Sequence, residues 1–159
     1  MNKQLNIEMV KILTQPVVPV VLHGINPRKI MSAYKWKKLG SEWREKAQNC
    51  CMICEKYVSH SPGDYLELHE QYDYDFEKLI QKHTGYVSIC GDCHHYIHIG
   101  RLKMLVGEGR MTKEKFAEIK AKGDKLLAQF GLEKIQVSRD VLYDDNWQLE
   151  FEGKLYGKE

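Results

Sequence analysis

The spacing of apolar positions changes several times along the chain. Leu5, Met9, Ile12 and Leu13 recur at the interval of one helix face, and Pro16 ends the pattern. Val17 to Leu22 is rich in β-branched residues and predicts a short strand or extended segment. Asn26-Pro27 supplies an N-cap followed by a proline suited to the first helical position. A helix follows to about residue 48, with a break near Ser32, and Ile30, Trp36, Leu39 and Trp43 form its apolar face. Residues 49–64 carry Ser59, Ser61, Pro62 and Gly63 and predict a knuckle and loop. Tyr65 to Tyr74 has strand composition, and Tyr86 to Ile89 predicts a second short strand after Gly85. A helix is expected over 91–104. A clearer one opens at Thr112, with Phe116, Ile119, Leu126, Leu127 and Phe130 on its apolar side and Gly131 closing it. Gln148 to Tyr156 reads as an edge strand or arm.

The pattern predicts an α+β fold with three segments: an N-terminal helical, basic segment over 1–48, a central core over 49–104, and a C-terminal helix with a strand or arm over 105–159. No repeat or Gly/Ser linker separates them, so one compact domain is expected. The chain has 159 residues, 43% of them hydrophobic and 29% charged, as in an ordinary globular protein. The longest apolar stretch, Val17 to Leu22, is interrupted by Pro19 and falls far short of the roughly 20 residues a membrane helix needs. Lys3, Glu8 and Lys11 stand where a signal peptide needs an unbroken apolar stretch. A cytoplasmic location with no membrane partner is the expectation.

The net charge is only +2, but it is unevenly spread. Arg28 to Lys46 contains seven basic residues against two acids, a local charge of +5. Asp64 to Lys78 carries six acids against one lysine, a local charge of −5. A basic flank beside an acidic centre suits a polyanion contact next to a cation site; solvated faces of opposite sign are the plainer reading.

The chemistry concentrates in residues 50–98, which hold all five cysteines and six of the seven histidines. Cys51-Met-Ile-Cys54 and Cys90-Gly-Asp-Cys93 are two Cys-x2-Cys pairs. Two such turns complete a four-thiolate site for structural Zn²⁺. Cys50 is left over as a bystander or as a replacement for Cys51 in a shifted site. The second pair runs into His94 and His98, four apart and on one face of the expected helix. Leu66-Glu67-Leu68-His69-Glu70 alternates as a half-buried strand and delivers His69 and Glu70. A strand histidine beside a helical pair can hold a divalent ion with open positions. The competing structural readings make His69 a core histidine bonded to a backbone carbonyl and His94 and His98 the solvent side of a knuckle helix. His60 and His83 are expected to be exposed in turns, and His95 to point away from His94 and His98.

The string Cys-x2-Cys, Leu-Glu-x-His, then Cys-x2-Cys-His-x3-His resembles the HNH nuclease family, most closely its zinc-stapled branch with a ββα-metal core. The match covers about residues 43–101. The run His69-Glu70-Gln71-Tyr72-Asp73-Tyr74-Asp75, the later Cys93-His94 and His98-Ile99-Gly100, and the preceding Trp-containing basic segment Trp36 to Lys46 are similar to a group of bacterial and phage HNH-like proteins. The resemblance implies Cys51, Cys54, Cys90 and Cys93 as zinc ligands. It implies His69, His94 and His98 around a catalytic Mg²⁺ or Mn²⁺, with His69 and Glu70 as the catalytic residues. It implies hydrolysis of DNA phosphodiester bonds, with Arg28, Lys35, Lys37, Lys38 and Arg44 on the DNA backbone. Two positions depart from the family pattern. His69-Glu70 replaces a His-His or Asp-His pair, so either Glu70 stands in for the usual base or His69 is itself the base. Gly85 stands near where the middle Asn belongs. The alternative function is a non-catalytic zinc-stabilised module that binds nucleic acid or protein, and a homodimer or a protein partner fits either reading.

Overall fold

The computed structural model describes residues 5–159. The first four residues of the expected N-terminal segment, Lys3 among them, lie outside the described residues. Asn6 caps α1 (Ile7–Val10), its side chain accepting from the Glu8 N–H at 2.9 Å, and the chain continues into a 3-10 turn over Lys11–Thr14. The expected strand over Val17 to Leu22 does not form. Pro16 and Pro19 lack the N–H groups a ladder needs, and the stretch ends in a 3-10 turn over Val20–Leu22.

The predicted helix after Asn26-Pro27 is two helices, α2 (Pro27–Ile30) and α3 (Ala33–Lys46). They part at Ser32, whose hydroxyl accepts from the Lys35 N–H at 3.2 Å and caps α3. Trp36 and Trp43 of α3 both meet Tyr86 with ring centroids 6.3 Å apart. Gly40 is the buried residue of this helix, and its apolar face is only half-buried.

β1 (Glu67–Asp75) and β2 (Ile80–Ile89) pair antiparallel and lead directly into α4 (Gly91–Ile97). β2 starts six residues before the predicted Tyr86. Its first half, Ile80 to Gly85, is mostly polar and gives no strand pattern, yet β1 pairs with it on one side and β3 on the other. Gly85 lies inside the strand, beside a bulge that leaves Thr84 without a Cα partner on β1. His83 is therefore not in an exposed turn. It is half-buried on β2 against Tyr72, Tyr86 and Phe151, and burial lowers its pKa.

The helix expected over 91–104 is also two, α4 and α5 (Ile99–Gly107), broken at His98, whose ψ of 49° is not helical. α6 (Lys113–Ala128) forms as predicted, with Thr112 as its cap. After α7 (Arg139–Leu142), the expected single strand or arm over Gln148 to Tyr156 is a hairpin of β3 (Gln148–Phe151) and β4 (Lys154–Tyr156). Glu152 and Gly153 both take positive φ at its turn, which suits the right-handed twist of the strands. β3 lies parallel to the start of β2, so the four-stranded sheet runs β1-β2-β3-β4 and β1 is a free edge.

Val10 and Leu13 from the first segment and Ile119, Leu126 and Leu127 from the last pack into the same core as Ile53, Val87, Ile89 and Ile97. A second cluster of Leu22, Trp147, Leu149 and Phe151 sits under the hairpin. Helix α6 approaches α4 closely at one point, where Gly123 lies against the Tyr96 ring. A Cβ on Gly123 would fall within that ring. Gly123→Ala is therefore expected to destabilise the fold by about 1–3 kcal/mol in denaturant unfolding. Gly107→Ala, where a Cβ meets nothing within 4 Å, is expected to change stability by less than about 0.5 kcal/mol.

Candidate metal centres

The chain brings Cys51, Cys54, Cys90 and Cys93 together, with all four sulfurs within 4.8 Å of one another. The turn that carries the first pair is shaped by backbone bonds: Cys51 N–H to Lys56 O at 2.8 Å, and Glu55 N–H to Cys51 O at 2.8 Å, with Glu55 at positive φ. Met52 N–H donates to Ser88 O at 3.0 Å, which ties that turn to the end of β2. Cys90 is the N-cap of α4 and Cys93 lies in its first turn. The Cys54 and Cys90 sulfurs are 3.7 Å apart. A tetrahedron with Zn–S bonds of about 2.3 Å requires about 3.8 Å, so the donor set fits zinc. All five cysteines are free of disulfides. Cys50 stands outside the cluster, paired across a bridge with Tyr57, and does not replace Cys51.

Four thiols this close cannot all ionise without a cation. Hydrogen bonding among the sulfurs pushes Cys51 and Cys93 up and holds Cys54 down. Lys122 of α6 offsets part of the negative charge, with its Nζ 3.8 Å from the Cys90 sulfur and 3.7 Å from Asp92. Burial alone would lower its pKa; the charge on the Cys90, Cys54 and Cys93 cluster outweighs that and raises it. No local pattern in the sequence marks Lys122 for this position.

His69, His94 and His98 form a second cluster, again with their ligand atoms within 4.8 Å. The ring centroids of His69 lie 5.4 Å from His94 and 5.3 Å from His98, and those two are 4.9 Å apart. Alternation along β1 puts Glu67 and His69 on one face, towards α4. His94 Nδ1 donates to Glu67 Oε2 at 2.9 Å, which leaves Nε2 as its free nitrogen. His69 is 1% exposed, and its Nε2 donates to Gln15 Oε1 at 3.2 Å. The remaining nitrogen, Nδ1, is buried with no partner. A buried acceptor without a donor is costly. A cation satisfies it, and outer hydrogen bonds of this kind orient ligating histidines. The residues therefore fit a metal ion. His69 is a buried histidine, but its partner is a glutamine side chain and not a backbone carbonyl.

Burial holds His69 well below the ordinary histidine range, and burial with His94 nearby lowers His98 to about 3. The hydrogen bond from His94 keeps the Glu67 carboxyl below its ordinary value. Glu70 goes the other way, its carboxyl raised by burial. His95 is half-buried and absent from the cluster.

The histidines line a cleft of about 690 Å³. Glu70, Arg28 and Arg101 line it too, which brings Arg28 from α2 to the cluster. Lys35, Lys37 and Lys38 are exposed on α3 but stand apart from the cleft lining, and Arg44 is half-buried with its guanidinium over Gly40. Sequence reasoning missed Gln15, Glu67 and Arg101. Glu67 was legible in principle, two residues before His69 on the same strand face. Gln15 lies 54 positions away and carries no pattern. Among the described residues, no helix is long and apolar enough to cross a membrane. No family model, curated protein or solved structure matches the chain, so the geometry of the two centres carries the functional reading.

Cys51→Ser and Cys93→Ser are each expected to lose the zinc and unfold the centre of the chain, while Cys50→Ser keeps both, as read by metal analysis and circular dichroism. Acid is expected to destabilise the fold through His98. Its folded pKa of about 3 lies below an unfolded value of about 6.5. The unfolded chain therefore takes up protons that the folded chain refuses, and stability present above pH 6.5 is lost as pH falls towards 3. The slope is about 1.4 kcal/mol per pH unit per histidine. Melting temperatures between pH 7 and 5 should fall more steeply for the wild type than for His98→Asn.

Proposed function

We propose that the chain is a metal-dependent endonuclease of the HNH type that hydrolyses DNA phosphodiester bonds at the His69, His94 and His98 cluster. One observation carries the reading: three histidines from a strand and a following helix converge, two with their outer nitrogens already committed, at the wall of an arginine-lined cleft. The β1-β2-α4 succession with four clustered cysteine sulfurs at its junction supports the reading.

A divalent ion there supplies positive charge to the phosphate oxygens and the leaving oxygen. The protein's own groups do the rest. Gln15 and Glu67 fix the orientation of His69 and His94. Glu70, with its carboxyl raised towards neutrality, takes the proton from the attacking water. Arg28 and Arg101 hold the phosphodiester. Lys35, Lys37 and Lys38 meet the backbone further out.

A second reading rests on Gly85. In the motif that position carries an Asn that tethers the metal loop, and here it has no side chain. A binding module on the same scaffold would retain DNA affinity through the exposed lysines without cutting.

Nicking of supercoiled plasmid separates the two. The nuclease reading expects cleavage that requires added Mg²⁺ or Mn²⁺. His69→Ala and Glu70→Gln should each slow it by about a hundredfold or more, with zinc content and fold retained. Cleavage that survives His69→Ala at the wild-type rate sinks the assignment. Affinity without cleavage, abolished by charge reversal at Lys35, Lys37 and Lys38, would establish the binding module.

A further inference from the structure

The cleft beside the histidines is larger and more apolar than a phosphate site needs. Its walls include Val17, Ile25 and Leu22 from the N-terminal segment, Ile99 and Met104 from α5, and Trp36 from α3. Val17 and Met104 are each 54% exposed, so two of these apolar walls face open space in the cleft. The Arg28 guanidinium lies over the Trp36 ring, 5.9 Å from its centroid. That stacking holds a flat cation at the cleft wall, and guanidinium planes and aromatic rings are the surfaces on which unstacked bases lie.

A second, independent observation comes from two buried amides that line the same cleft. Gln15 is 7% exposed and Gln81 2% exposed. Gln15 Nε2 is a donor with no partner, and Gln81 Oε1 is an acceptor with no partner. Buried polar groups are satisfied in nearly all folded proteins. The cleft lining thus carries spare hydrogen-bonding capacity of both kinds, and a nucleobase edge is a group that offers both donors and acceptors. A phosphate offers only acceptors.

One member of the cluster also sits deep: His69 is almost wholly buried, and Leu68, His69, Glu70 and Tyr72 of the edge strand β1 line the cleft. A phosphodiester reaches such a recess more easily when the strand carrying it is free to bend. The cleft volume lies within the range of about 300–1,000 Å³ that holds one small-molecule-sized group, which a nucleotide is.

From these features we infer that the cleft takes an unpaired nucleotide next to the phosphodiester at the histidine cluster, so that the substrate is single-stranded or locally unpaired DNA rather than continuous duplex. The inference takes its substrate class from the nuclease reading, and its own content is the base pocket.

The test uses labelled DNA oligonucleotides of one sequence: a single strand, its full duplex, and a duplex with a short central unpaired loop. Binding is read by fluorescence anisotropy at one fixed salt concentration without added Mg²⁺, and cleavage separately with Mg²⁺ or Mn²⁺. The single strand and the looped duplex should bind at least about tenfold more tightly than the full duplex. Trp36→Ala should reduce single-strand affinity about tenfold or more, and Trp36→Phe should restore most of it. Met104→Glu, at an exposed position that folding does not need, should also weaken the single strand by about tenfold while leaving the melting temperature unchanged. Full duplex bound as tightly as single strand overturns the base pocket, whatever is cut. A folded Met104→Glu protein that binds the single strand as the wild type does also overturns it. Single-strand preference in binding with no cleavage of any substrate upholds the base pocket and removes the hydrolytic reading instead.

Discussion

The cluster of four cysteine sulfurs is the constraint on which the rest of this structure depends. Cys51 and Cys54 sit on a turn with little apolar content of its own, and Cys90 and Cys93 sit where β2 becomes α4. Drawing the sulfurs to within a few ångströms sets where α4 starts and how it leaves the sheet. Once that start is set, His94 and His98 fall opposite His69 on β1. The Met52 bond to Ser88 and the Lys122 contact with Cys90 support the same junction from either side. A metal bound by these four sulfurs would contribute folding energy at the point where β2 meets α4.

The second cluster has the opposite character. The sulfurs hold one another's elements together, whereas the histidines are held by groups outside the cluster. Gln15 fixes one ring and Glu67 another, and the break of the helix at His98 sets the position of the third. A buried, unpartnered nitrogen and histidines kept neutral by burial are poor choices for stability alone. They are the state in which imidazole accepts a cation. Glu70, on the same strand but with its carboxyl raised, stands in a different electrostatic environment from Glu67 three residues earlier. That split between two nearby carboxylates suits one for orienting a ligand and the other for moving a proton.

Much of this was legible along the chain. The two Cys-x2-Cys pairs pointed to a four-sulfur cluster because that spacing puts two sulfurs on one turn, and the structure brings the two turns together. Thr112 and Asn26 marked helix starts that the structure keeps, and the break near Ser32 is where that residue caps α3, since capping is a local interaction between a side chain and the N–H groups just after it. Alternation from Leu66 to Glu70 identified β1. Other elements were hidden for equally physical reasons. The first half of β2 is polar, yet it is a strand because β1 and β3 pair with both its edges. Val17 to Leu22 is β-branched, yet two prolines deny it a ladder. The 91–104 helix breaks at His98, two residues before Gly100 and with no proline to mark the point.

By itself, the sequence determined which groups have the chemistry to bind metal and which short segments begin helices, because both depend on residue type and near-neighbour spacing. Tertiary structure decided what those groups can do. Only the fold could bring Gln15 to His69 across 54 positions, place Arg28 and Arg101 on one cleft, or hold Lys35, Lys37 and Lys38 away from it. The reason is that burial, which sets protonation, and convergence, which makes a site, are properties of the packed chain. Neither is encoded within the span of a single helix or strand.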